Sequence, residues 1–325
     1  MKTPLLPWLL KRLQARESPI SQNKQYVGEV LAILLQSSVV NRKHFINLPN
    51  MDGVDILLQL LSPYRKLDPA KGGEEEELLE NIFDAVTCLV GETEGKVRFV
   101  EAEGVELALI MLREGKMSKP RALRLLDHAM AGEGGVVVCE RFVEALGLKT
   151  LFGMFMKKQD RQTMEHILGI FASLLRTLPA ESPARIRALA KFVEKEYEKI
   201  EKLISLREGY TARVKEVERG IEMQKKEVDE EEWEDYEAEW FGKRLEGGLF
   251  CLQLVDLVVA WLCAEDDGAR GKVQEELGKS GVGINVVRET LKEQLGGLEE
   301  GADVGEVDEE ARHLREMLRT LIQFL

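Results

Sequence analysis

A glycine that opens an amphipathic run occurs three times in this chain, each time after a basic or polar stretch that ends in phenylalanine. Arg42 to Phe45 leads to Gly53-Val-Asp-Ile-Leu-Leu-Gln-Leu-Leu61, Arg98-Phe99 to Gly104-Val-Glu-Leu-Ala-Leu-Ile-Met-Leu112, and Arg141-Phe142 to Gly147-Leu-Lys-Thr-Leu-Phe-Gly-Met-Phe155. The first two glycines stand 51 residues apart and the next two 43. A second apolar pattern follows each run, over Glu76 to Val90, Arg121 to Met130 and Thr163 to Leu178, and an earlier copy, Tyr26 to Leu35, precedes the first glycine. In all of them apolar residues recur at the helix spacing, as in Ile82, Phe83, Val86 and Leu89, which defines a helix face rather than a strand. The glycines suit a sharp turn between helices, through positive φ or through close packing.

Intervals of this size bracket the roughly 40 to 47 residues of HEAT and armadillo units, the longer one holding an insertion. One helix pair cannot bury its apolar face alone, so neighbouring units stack on a shared core. The expected fold is all-α: an armadillo/HEAT-like α-solenoid, a right-handed superhelix of stacked helical repeats closed by a C-terminal helical cap. Composition agrees, because Leu, Glu, Lys, Arg and Ala dominate and aromatic residues make up only 6%, which favours helix over strand. The chain opens directly on Pro4-Leu-Leu-Pro-Trp-Leu-Leu10. That leaves Leu5, Leu6, Trp8, Leu9 and Leu10 without a polar cap, as expected of a chain that starts inside a longer array and able to self-associate into a homo-oligomer.

Three segments are expected. Residues 1–180 hold the repeats. Residues 181–245 form a charged long-helix segment, in which Arg185 to Lys226 interleaves Lys, Arg and Glu with spaced apolar positions, the pattern of exposed helices laced with i,i+4 pairs. It ends in the acidic run Glu227 to Glu239, with nine acids and no base. Residues 246–325 complete or cap the array through helices over Gly247 to Ala264, Gly283 to Leu295 and Ala311 to Leu325, with Gly296 to Glu310 as a Gly-rich acidic loop.

The net charge of −13 repels phosphate and attracts basic partners, so nucleic acid is not an expected direct ligand. Met1 to Leu10 lacks the order of charged, apolar and small residues found in a signal peptide. The most apolar stretch, Leu249 to Ala264, is shorter than the roughly 20 residues of a membrane span and carries Gln253 and Asp256, so it reads as a buried helix and no membrane is expected as a partner. Cys88, Cys139, Cys251 and Cys263 have no C-x-x-C spacing and read as reduced, mostly buried thiols.

Catalytic and cofactor signatures fail on particular residues. Gly91-Glu-Thr-Glu-Gly-Lys96 would be a phosphate loop only with glycine at 90 and a hydroxyl at 97, where Val90 and Val97 stand; Gly278-Lys-Ser280 lacks its first glycine, since Val273 occupies that position. His44, His128, His166 and His313 stand singly, without a companion at metal-ligand spacing. Asp127 and His128, adjacent on a helix, point about 100° apart. No catalytic, metal or cofactor site is expected.

Over long strings the sequence resembles the beta-catenin-like protein 1 family. The strings include Pro4 to Leu13, Glu29 to Gln36, Asn41-Arg42, Asp52 to Gln59, Leu125-Leu-Asp-His-Ala-Met130, Leu151-Phe152 with Phe155 to Lys157, Ala172 to Arg176 and Arg244-Leu-Glu-Gly-Gly-Leu-Phe250. They correspond to the C-terminal larger part of the family's length. The family's basic nuclear-import segment and earlier repeats are not in this sequence, and its acidic run Glu230 to Glu239 is denser than the family pattern. The resemblance implies a nuclear armadillo protein of the pre-mRNA splicing machinery. Such a protein joins the Prp-nineteen-associated complex and binds splicing-factor proteins through their basic, nuclear-localisation-like segments. The alternatives are a karyopherin-like cargo adaptor, which would show regular Trp and Asn positions where Asn81 has no register partner, and another armadillo scaffold outside the spliceosome.

Two places suit basic partners. Asp84 and Asp127 stand 43 residues apart, the repeat interval, so they are expected to project from one face of neighbouring units, either as a carboxylate ladder facing an extended peptide or each bonding locally to its own helix or an inter-repeat loop, with Glu80 and Asn81 beside them. Glu74 to Glu77 open the same helix, where the macrodipole favours negative charge. The second place is the acidic run with Trp233, Tyr236 and Trp240, aromatic groups that either pack back on the array or dock a basic partner.

Overall fold

The computed structural model describes residues 4–229, 232–300 and 309–325. Helices dominate it, and there is no strand among the described residues. The chain divides into two compact units, Met1–Ala188 and Leu189–Leu325.

The first unit opens with α1 (Leu5–Gln14) and α2 (Gln22–Ser37) and continues as three triplets of helices. These are α3 (Val39–Ile46), α4 (Gly53–Leu61) and α5 (Glu74–Leu89); α6 (Thr93–Glu101), α7 (Gly104–Glu114) and α8 (Ser118–Met130); and α9 (Gly135–Glu144), α10 (Gly147–Phe155) and α11 (Arg161–Thr177). Local chemistry starts several of them: Ser21, Ser38, Asp52 and Asp160 each accept a backbone N–H of the first turn, which satisfies a donor that the helix itself leaves unpaired. Apolar stripes then face inward. In α5, Leu78, Leu79, Ile82, Phe83, Val86 and Leu89 are all buried, each burial worth about 1.5–3 kcal/mol.

The unit of repetition is therefore three helices rather than two. The basic openings Arg42 to Phe45, Arg98-Phe99 and Arg141-Phe142 lie inside α3, α6 and α9, helices too short to show a clear period. Their phenylalanines explain the glycines. A Cβ on Gly53 would come within 2.4 Å of the Phe45 ring, one on Gly104 within 2.3 Å of Phe99, and one on Gly147 within 2.6 Å of Phe142. All three rings are fully buried. Close packing fixes these glycines. The left-handed backbone falls instead on the preceding residue in two copies, Glu103 (φ 58°) and Leu146 (φ 63°).

Buried or half-buried cations close helix ends between triplets. Arg42 of α3 donates to the Leu35 carbonyl at the end of α2 (3.0 Å) and to Glu92 (2.7 Å). Lys96 of α6 donates to the carbonyls of Ala131 and Glu133 just past α8, the second at 2.8 Å. Arg185 does the same for α11 through the Leu178 carbonyl at 2.9 Å. Each supplies positive charge where the macrodipole is negative. At the N-terminal end the expected exposed patch is only partly exposed. Leu6, Leu9, Leu10 and Leu13 are buried in the packing of α1 on α2 and α4, while Leu5 and Trp8 face outward, because the amphipathic period of α1 turns one face inward.

The second unit begins inside α12 (Pro183–Lys225), which is broken at Glu194 to Tyr197. It continues as α13 (Trp233–Gly247), α14 (Leu249–Glu265), α15 (Asp267–Lys279), α16 (Asn285–Glu300) and α17 (Glu309–Phe324). The apolar α14 packs against α13, α15, α16 and α17, which accounts for its hydrophobicity on every side. Its Asp256 is fully buried and accepts a 2.7 Å hydrogen bond from Arg207 Nε. No single helix among the described residues is long and apolar enough to cross a membrane. Cys139, Cys251 and Cys263 are buried, Cys88 is half-buried, and all four are free. Helix α16 runs through the Gly296-Gly297 pair to Glu300, so the expected loop at Gly296 to Glu310 starts later than its glycines suggest. The remainder of that loop, 301–308, and Glu230 and Glu231 of the acidic run lie outside the described residues.

Candidate functional site

The third helix of each triplet packs on its counterpart in the next, α2 on α5, α5 on α8 and α8 on α11. Side chains three or four residues apart on one such helix share a face, so this row of helices presents a ladder of polar groups. On α5, four glutamates occupy the first turn. Glu75 accepts from the Tyr64 hydroxyl at 2.8 Å and Glu76 from the Gly72 N–H at 2.6 Å. Burial and Glu75 together push the Tyr64 phenol well above its ordinary range.

One turn on, the carboxylates meet cations of the next helix. Arg121 of α8 pairs with Glu80 and reaches Glu76 at 3.8 Å. Arg124 pairs with Asp84. The same step recurs one triplet later, where Asp127 of α8 lies 2.9 Å from His166 Nδ1 of α11. Asp84 and Asp127 thus occupy equivalent positions, each bridged to the following helix. Gly169 makes room for the second bridge, since a Cβ there would come within 2.3 Å of an Asp127 oxygen.

The bridges leave part of the carboxylates open. The Glu80 side chain stays 43% exposed and that of Asp84 50%, against 21% for Asp127. Between α8 and α11 a cavity of about 380 Å³ is lined by Glu80, Arg121, Arg124, Asp160, Thr163 and His166. Asn81 is half-buried with its Cβ beside Gly28 of α2, and it does not line this cavity. His128, next to Asp127, is half-buried; burial lowers its pKa, His166 and Arg124 add to this, and Asp127 opposes it.

The aromatic residues assemble in the second unit. Trp233, Tyr236 and Trp240 lie on one face of α13, with Tyr236 stacked on Trp240 at 5.7 Å between centroids and Trp233 edge-on to Trp240 at 6.4 Å. The two indoles close on Lys225 of α12. Arg121, Arg124, His166, Gly169 and Lys225 were not among the expected site residues. The signal for the cations of the ladder was the spacing already used for the aspartates, since Arg124 and His166 recur at almost the same interval.

Triplets of helices stacked through their third members, with a polar ladder along that row, define an armadillo-repeat protein. Solved structures agree on the fold. A designed armadillo repeat protein superposes with a TM-score of 0.57 at 13% identity, covering 98% of this chain and 99% of its own, and an engineered protein does so with 0.54 at 14%, covering 98% of both. The chain belongs to the beta-catenin-like family: the profile described as "Catenin-beta-like, Arm-motif containing nuclear" matches residues 1–292. The Beta-catenin-like protein 1 homolog of Schizosaccharomyces pombe is 37% identical over 92% of this chain and 51% of its own length. Beta-catenin-like protein 1 of Mus musculus and that of Homo sapiens are each 38% identical over 91% of this chain and 54% of their own. The chain therefore spans about half the length of these curated relatives.

Proposed function

We propose that the chain is a protein-binding scaffold of the pre-mRNA splicing machinery in the nucleus, within the Prp-nineteen-associated complex, and that it holds basic, nuclear-localisation-like segments of partner proteins. Membership of a nuclear armadillo family supports the compartment and the scaffold. The observation that carries the binding reading is the half-exposed pair Glu80 and Asp84. Each carboxylate is held in place by an arginine yet keeps open oxygen surface, so a Lys or Arg side chain of an extended peptide can add to it or take the arginine's place. Asp127, more enclosed, anchors the same row. Recognition of this kind uses a preformed groove and charge complementarity rather than chemistry.

The test is calorimetric titration of a Lys/Arg-rich peptide into the chain and into Glu80→Gln/Asp84→Asn. Affinity is expected to fall by about 1 kcal/mol, roughly fivefold, the scale of partly exposed ion pairs. The melting temperature should move little for the same reason. Equal affinity in the two proteins would remove the ladder from the binding surface. Mass spectrometry of proteins captured from nuclear extract would separate a splicing scaffold, with splicing factors enriched, from a cargo adaptor, with import factors enriched.

A further inference from the structure

Trp233, Tyr236 and Trp240 follow one another by three and four residues, so they form a single stripe on α13, and that stripe faces α12. Trp240 is fixed there: it is 2% exposed and its indole N–H donates to Gln224 Oε1 at 3.2 Å. Lys243 donates to the same oxygen at 3.0 Å. The other two rings are half-buried. Lys225 Nζ lies between the indoles, 4.6 Å from the Trp233 ring centre and 4.9 Å from that of Trp240. Although nine acidic residues follow within a few turns of chain, Lys225 pairs with no carboxylate among the described residues. Its ammonium is held by aromatic faces.

An apolar stripe needs an apolar side chain to cover it, whereas this one is covered by a cation. Two indole faces converging on one ammonium make the geometry in which the ring quadrupoles attract positive charge. On the same helix Glu234, Asp235, Glu237 and Glu239 are all exposed, Glu237 one turn from Trp233, and they raise the local concentration of cations. Lys225 is a half-buried side chain held there by two contacts, each worth only roughly two- to fivefold in an equilibrium. A lysine brought in on a peptide that also engages the exposed acids of α13 has more to gain than Lys225 has to lose.

We infer that Trp233 and Trp240, the latter backed by the stacked Tyr236, form a cage for a lysine side chain of a basic partner peptide, and that Lys225 occupies it in cis as a displaceable plug. The inference deepens the proposed partner class, a basic segment, but places this contact in the second unit, independent of the Glu80–Asp84 ladder. The plug sets a threshold: single lysines do not compete, and a peptide that carries several does.

The experiment titrates a Lys-rich peptide free of aromatic residues against the full chain, followed by indole fluorescence and by calorimetry. Lys225→Gln, which keeps much of the aliphatic stem and removes the charge, and Lys225→Ala are expected to bind roughly two- to fivefold tighter than the parent. Adding Trp233→Ala should abolish the gain, and this half-buried position is preferred to Trp240, whose loss would disturb the fold. Equal or weaker binding in both Lys225 variants, with circular dichroism unchanged, would overturn the cage and leave the stripe as a tie between two helices. The ladder is tested apart by repeating the titration in the Glu80→Gln/Asp84→Asn background. A gain from Lys225→Gln that persists there upholds the cage even if the ladder proves not to bind.

Discussion

A single methyl group distinguishes the packing glycines from the incidental ones. Gly104→Ala would drive a Cβ to 2.3 Å from the Phe99 ring and 2.8 Å from its carbonyl, and the ring, fully buried, has nowhere to move. Overpacking of this kind costs about 1–3 kcal/mol. Gly153, also helical, has nothing within 4 Å of its would-be Cβ, so Gly153→Ala should be neutral or stabilise by up to about 1 kcal/mol. Urea denaturation of the two variants reads the contrast directly. The buried pair in the second unit has its own signature. Burial raises Asp256 to about 6, with Arg207 holding it from rising further, whereas an unfolded aspartate titrates near 3.9. Between about pH 4 and 6 the folded chain thus binds the extra proton, and this group's contribution to stability falls as pH rises through that window and is flat above it. Arg207→Met should cost about 3–5 kcal/mol by stranding the carboxylate. Arg207→Met/Asp256→Leu should recover most of that and lose the pH slope, measured by denaturation at pH 4.5, 6 and 7.5.

Among the elements, α12 departs furthest from what its sequence favours. Lys191 to Lys199 contains neither glycine nor proline, yet Lys195, Glu196 and Tyr197 all have positive φ, between 56° and 65°. That conformation costs an ordinary residue roughly 1–2 kcal/mol. The compensation is tertiary. The Tyr197 hydroxyl lies 3.4 Å from Asp266, the residue that caps α15, and over Gly268, where a Cβ would come within 2.0 Å of it. Lys199, 2% exposed, pairs with Glu194 and Glu198 on either side of the break. Glu196 is exposed, so Glu196→Gly removes no packing. It should stabilise the chain by about 1 kcal/mol through relief of the left-handed strain, whereas the same change in a continuous helix would cost about 1 kcal/mol. The sign of the shift in denaturation midpoint decides. This break was not legible in the sequence because it contains neither glycine nor proline and the contact of Tyr197 that favours it, Asp266, lies 69 residues on. The boundaries of α4 and α10 were legible to the residue, since there a packing glycine and the amphipathic period agree. Helices α3, α6 and α9 went unread for want of length.

At the scale of the whole molecule, the repeat interval was enough to anticipate the fold and to align Asp84 with Asp127. It did not say that each aspartate would meet a cation of the next helix, because pairing depends on which rotation of α8 and α11 the packing selects. The net charge of −13 has a kinetic consequence for the proposed ligands. Association of a Lys/Arg-rich peptide should slow several-fold between about 50 and 200 mM salt while dissociation changes much less, as stopped-flow mixing would show.

Burial of amines also gives the molecule a set of internal clocks. Lys24, Lys96 and Lys199 have 6%, 2% and 2% of their surface exposed, and their ammonium groups are held by the Ala15 carbonyl, by the end of α8 and by the Glu194–Glu198 pair. An acylating reagent that modifies surface lysines within seconds can reach these three only when the backbone around them opens. Their labelling rates, read by peptide mapping, would report how often the first helices, the second triplet and the broken helix each come apart under native conditions, with no need to unfold the chain. A bound basic peptide that spans the ladder should slow the clock at Lys96 and leave that at Lys199 running.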